Sequence, residues 1–182
     1  MLLSLLACAA RYPQPLSSEA WPTPEAIYAW VGRGEASVQR DGAWVRDPAG
    51  DYDYVVVQRR YNGFWDVTKE MDYRHPNHRG KRHTSLYFHV VQRVSDANGK
   101  LEFSVDSALG AGRGTATEGF AHLDFELDAN VPGFMPYSHF RFSQDFDYTA
   151  GTLHEIVELV DLPAETVFYR IEERAVMLAT GG

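Results

Sequence analysis

The sequence predicts a mostly β protein: a single antiparallel up-and-down β-barrel of about 9–10 strands with one short N-terminal helix. Three observations carry this reading. Apolar and polar residues alternate over several stretches. Leu101, Phe103 and Val105 alternate with Glu102, Ser104 and Asp106, and Ala121, Leu123, Phe125 and Leu127 with His122, Asp124 and Glu126. Period two is the mark of half-buried antiparallel strands. Asp41-Gly42 and Asn98-Gly99 supply hairpin turns between such runs. Beyond residue 31 no helical period recurs, which excludes βαβ units. A meander this long has to curl up on itself or split into a sandwich, because open sheet edges invite aggregation.

Taken in order, residues 1–8 read as the remnant of a lipoprotein signal segment, 9–22 as a linker with Pro13, Pro15 and Ser17-Ser18, and 23–182 as one barrel domain. Thr23-Pro24-Glu25 has the chemistry of a helix start, an N-cap followed by proline at the first helical position. Ala26, Ile27, Trp30 and Val31 then fall at helical spacing, and Gly32 is a natural stop, so a helix is expected over 23–31. Strands are expected at 35–40, 43–47, 52–61, 64–73, 84–95, 100–107, 115–127, 138–147, 152–161 and 165–178. Gly110-Ala111-Gly112-Arg113-Gly114 lacks the lysine and following helix of a phosphate-binding loop, and reads as a flexible loop between strands.

Charge narrows the function classes. Against 25 acidic residues stand 17 basic ones, a net charge of −8, which opposes nucleic-acid binding through phosphates. The single cysteine, Cys8, permits neither an internal disulfide nor a Cys-rich metal site. No cofactor is expected. No Gly-x-Ser-x-Gly elbow occurs. Paired carboxylates such as Asp51/Asp53, Asp145/Asp147 and Glu172/Glu173 have no local signature and read as solvent-facing charge.

Several features occur in a familiar order. Gly32-Arg33-Gly34-Glu35-Ala36 follows the expected helix, and Tyr61-Asn62-Gly63-Phe64-Trp65 comes next with Glu70 soon after. His154-Glu155 sits on a late strand, and Glu172-Glu173-Arg174 on the last. This order resembles the lipocalin-like (calycin) β-barrels, in particular small bacterial lipocalin-like domains of unassigned function. Gly63-Phe64-Trp65 matches the Gly-x-Trp pattern, but a third of the way along the chain instead of on the first strand. The resemblance implies a barrel with an apolar cavity, and a late arginine, Arg170 or Arg174, packed over Trp65. Leu5-Leu6-Ala7-Cys8 resembles the bacterial lipobox. That resemblance implies acylation of Cys8 and a place in the bacterial cell envelope; without it the cytoplasm is expected.

Parity selects the candidate ligand-binding residues. Tyr54, Val56, Gln58 and Arg60 share one face of their strand, and Leu86, Phe88, Val90 and Gln92 share one face of theirs. If those faces point inward, Gln58, Arg60, Trp65, Phe88 and Gln92 meet a small apolar or amphipathic ligand, with polar groups orienting it. The segment Arg74 to His83 concentrates positive charge in a loop. It reads as a solvated loop, as an anion gate at the barrel mouth, or as a metal site of His75, His78 and His83 with Asp72; no structural metal is expected there. The leading functional expectation is a non-catalytic binding protein. The alternatives are an isomerase or lyase using an interior Arg, His or Tyr, and a structural envelope protein with a filled core.

Overall fold

Residues 26–31, expected in a helix, form the beginning of a 15-residue strand, β1 (Ala26–Arg40). The computed structural model describes residues 25–76, 80–95, 101–129, 139–161 and 164–181, and no α-helix occurs among them. The helical stripe lost to long-range pairing. β1 is hydrogen-bonded on both sides, to β3 (Tyr52–Tyr61) over 26–34 and to β11 (Thr166–Gly181) over 27–38. A single-turn preference set by a cap is weak against two full ladders and the burial of Trp30, which is completely enclosed.

The remaining strands are β2 (Ala43–Arg46), β4 (Phe64–Tyr73), β5 (His83–Ser95), β6 (Leu101–Ser107), β7 (Gly110–Ala116), β8 (His122–Ala129), β9 (His139–Asp147) and β10 (Thr152–Asp161). Each of β3 to β11 pairs antiparallel with the next, and β11 pairs with β1. The result is a closed ten-stranded antiparallel up-and-down β-barrel, with β2 as an eleventh strand on the end of β1. Closure leaves the barrel strands without a free edge.

One expected strand, 115–127, is two. The glycine-rich run 110–114, expected as a loop, is β7. Its glycines let neighbouring strands come close. A Cβ at Gly112 would lie 1.7 Å from the carbonyl oxygen of Glu126, and one at Gly114 would lie 2.4 Å from the ring of Phe103. Glycine at 110, 112 and 114 leaves that part of the strand's inner face without side chains and makes room for the aromatic rings beside it.

The inner face of the barrel is apolar, with Val56, Phe103, Val105, Leu127 and Phe142 among its buried residues. The outer face carries charged pairs such as Arg33–Asp53 (3.2 Å) and Arg170–Glu158 (2.6 Å). One end is closed by aromatic packing. There the Arg60 guanidinium lies 4.8 Å from the ring centre of Tyr28 and 5.0 Å from those of Phe120 and Tyr148, and donates a hydrogen bond to the Tyr148 hydroxyl. Phe120 in turn stands edge-on to Trp65 at 4.9 Å. Among the described residues, the opposite end, where the turn at 48–50 and residues 108–109 sit, is open.

Candidate ligand cavity and its buried charge cluster

A cavity of about 610 Å³ runs from that open end into the barrel. This lies within the roughly 300–1,000 Å³ of sites for small organic ligands. Aromatic and aliphatic side chains make most of its wall, with Trp65 and Phe103 towards the closed end and Tyr73, Tyr169, Pro76 and Lys81 towards the mouth. Phe125 and Phe142 stack at 4.3 Å on one side.

Halfway along, three charged side chains meet in the wall. Lys69 of β4 places its ammonium 2.5 and 2.6 Å from the two carboxylate oxygens of Glu173 (β11) and 3.1 Å from Glu155 (β10). Gln144 of β9 donates to the other oxygen of Glu155 at 2.6 Å, and the Tyr52 hydroxyl of β3 donates to Glu173. Glu155 and Glu173 are direct cross-strand partners, so two like charges face inward side by side. Opposed like charges destabilise a sheet, and here Lys69 bridges them. All three groups are buried; Glu173 has no exposed surface, while Glu155 and Lys69 retain a few per cent.

Burial sets the protonation of the cluster. Burial pushes the Glu173 carboxyl up, to about 7, and the neighbouring Glu155 adds to the rise against the pull of Lys69. Glu155 suffers the same burial, but Lys69 and its hydrogen bonds to Glu173, Gln144 and Lys69 outweigh it, and its pKa is lowered. Burial opposes the charge on Lys69 as well, yet the two carboxylates overcome it and raise its pKa. Tyr52 and Tyr54 are raised first by burial and then by the charge of Glu173. The pair of carboxylates therefore holds one proton near neutral pH, next to a permanently charged lysine.

Of the residues selected by parity, Gln58, Trp65 and Phe88 line the cavity. Arg60 turns inward but belongs to the closed end, and Gln92 is half-buried outside the cavity wall. Neither Arg170 nor Arg174 covers Trp65. Arg170 packs outside the barrel, 4.6 Å over the ring of Trp44, and Arg174 is an exposed partner of Glu172. Cys8 lies outside the described residues, as do positions 77–79 of the basic segment. His83 is part of β5 and bonds to Asp72 and Glu70 at 2.8 and 2.9 Å. Among the described residues no cluster of three or more His, Cys, Asp or Glu is arranged to hold a metal.

Lys69, Glu155 and Glu173 escaped the sequence reading, although parity held the signal. Lys69 falls in step with Trp65, Val67 and Met71, and Glu155 with Leu153, Val157 and Leu159. Glu173 continues Tyr169 and Ile171. Of the paired carboxylates, Asp51 is also buried, where it accepts the Ala36 amide at 3.0 Å and binds the Arg46 guanidinium.

Fold and cavity together define a closed β-barrel with a ligand-sized, mostly apolar interior. No family model and no curated protein sequence matches this chain.

Proposed function

We propose that this protein is a non-catalytic binding protein, a lipocalin-like barrel that takes a small apolar or amphipathic molecule through its open end. The observation that carries the reading is the 610 Å³ aromatic cavity with a few converging polar groups on its wall. A core filled by side chains would leave no such volume. The tether expected at Cys8 belongs to the same proposal, and retention of the full chain in the membrane fraction of a bacterial host, lost in Cys8→Ser, tests it. The cavity is tested with the neutral dye Nile red. A single saturable site is expected, abolished when Leu86→Trp fills the space near the mouth while the melting temperature stays within a few degrees. No saturable binding, or binding indifferent to Leu86→Trp, refutes the reading.

A proton-transfer enzyme is the second reading, because a buried carboxyl with a pKa near 7 is the kind of group acid–base chemistry uses. Access argues against it for the one carboxyl with the raised pKa: Glu173 has no exposed surface, while Glu155, which keeps a small exposed edge on the cavity, has a lowered pKa. No arginine or histidine lines the cavity among the described residues.

A further inference from the structure

Among the described residues, the cavity wall carries three carboxylates, Asp47 at the mouth and Glu155 and Glu173 inside, against two lysines, Lys69 and Lys81. Inside, Lys69 is the one cation among the described residues that faces the two glutamates, so this part of the wall lacks one positive charge when both are ionised. A second, independent feature points the same way. Gln58, only 5% exposed, lines the same cavity, and its side-chain carbonyl oxygen has no hydrogen-bond partner. A buried acceptor without a donor is costly, and a ligand N–H relieves it.

Resting on the binding reading above, we infer that the ligand is an amphipathic organic cation, an amine whose charged end seats against Glu155 and whose apolar body lies along the aromatic wall. An anionic head such as a carboxylate would meet two carboxylates already competing for one lysine. A cation instead supplies the missing charge, and its N–H groups match acceptors on the wall. Near neutral pH a proton fills the same role, held between Glu173 and Glu155. The groups facing that proton come from every packed element: Tyr52 and Tyr54 of β3, Lys69 of β4, Gln144 of β9, Glu155 of β10, and on β1 only Gly34. Cation binding then displaces the proton, so affinity rises with pH. For one linked proton with a pKa near 7, the rise between pH 6 and pH 8 is about tenfold.

The test uses three ligands of equal chain length, decylamine, decanol and decanoate, competing with Nile red on the full chain at pH 6, 7 and 8. Decylamine stays protonated throughout, as lysine does with a pKa of about 10.4. The expected result is that decylamine binds at least about tenfold more tightly than decanoate at pH 8, and about tenfold more tightly at pH 8 than at pH 6. Glu155→Gln should abolish that preference, and Gln58→Leu should weaken the amine severalfold. The wild-type comparison stands even if a variant fails to fold. Equal or tighter binding of decanoate, or amine binding that ignores pH, overturns the inference while Nile red binding upholds the cavity. If Nile red and all three ligands fail to bind, the binding reading falls and this one with it.

Discussion

Lys69 and Glu173 lie 104 residues apart and meet inside the barrel, the ammonium 2.5 and 2.6 Å from the two carboxylate oxygens. The contact joins β4 to β11, strands that share no ladder. It is therefore a tie across the interior, independent of the hydrogen bonds that close the wall.

Cutting that tie leaves two carboxylates facing one another without a cation. Lys69→Met is expected to lower the unfolding free energy by roughly 3–5 kcal/mol, as for other buried pairs that lose one partner. Replacing all three groups, Lys69→Met with Glu155→Gln and Glu173→Gln, should recover most of the loss, since no buried charge remains. Chemical denaturation at pH 7 measures both, and a triple variant no better than Lys69→Met would contradict this account.

The pH dependence of stability follows from the directions of the shifts. Glu173 is raised, so the folded protein keeps a proton that the unfolded chain has released. Its contribution is fully present below the unfolded pKa of about 4.3 and is lost as pH rises through about 7. Glu155 is lowered and works in the opposite sense, its contribution being lost as pH falls. Between pH 5 and pH 8 the wild type should therefore lose stability relative to Glu173→Gln by on the order of 2–3 kcal/mol. A difference that stays flat over that window would rule out the shared proton.

Gly34 supports the same cluster from behind. A Cβ there would lie 2.7 and 2.8 Å from atoms of the Tyr52 ring, which is almost fully buried and hydrogen-bonded to Glu173. Gly34→Ala is expected to destabilise by about 1–3 kcal/mol, as other overpacked sites do. Thermal unfolding of the variant checks it; an unchanged melting temperature would mean that the ring can yield.

Arg60 packs into the aromatic cluster at the closed end of the barrel. Arg60→Met removes the guanidinium from three aromatic rings and from the Tyr148 hydroxyl. A loss of about 1–3 kcal/mol is expected, with Nile red affinity nearly unchanged. Affinity that falls while stability holds would put Arg60 back at the ligand.

On the outer surface, His122 bridges Asp145 at 2.7 Å and Asp124 at 3.0 Å, and the hydrogen bond to Asp145 raises its pKa above 6.5. NMR titration should show that elevation, and Asp145→Asn should bring His122 back towards the ordinary value. No change on that substitution would assign the rise to Asp124.

Much of the wall was legible in the sequence because alternation is a local property. A strand half-buried between core and solvent writes its two faces into residues two apart, and Leu123, Phe125 and Leu127 are buried as their alternation with His122, Asp124 and Glu126 implies. The same rule put Gln58, Trp65 and Phe88 inside. It was not carried on to Lys69, Glu155 and Glu173, since a charged residue in an apolar series reads first as solvent-facing.

What the sequence determined by itself was the meander of hairpins and the inward face of most strands, because both depend on residues near one another in the chain. The tertiary structure alone decided that residues 26–31 extend instead of coiling, since β1 gains ladders from β3 and from the distant β11. It also made a strand of the glycines at 110–114, whose missing side chains are what the neighbouring backbone and rings require. Above all it brought Lys69 to Glu155 and Glu173. Charges from positions 86 and 104 residues apart become partners only when the barrel closes, and only burial turns their proximity into a shared proton.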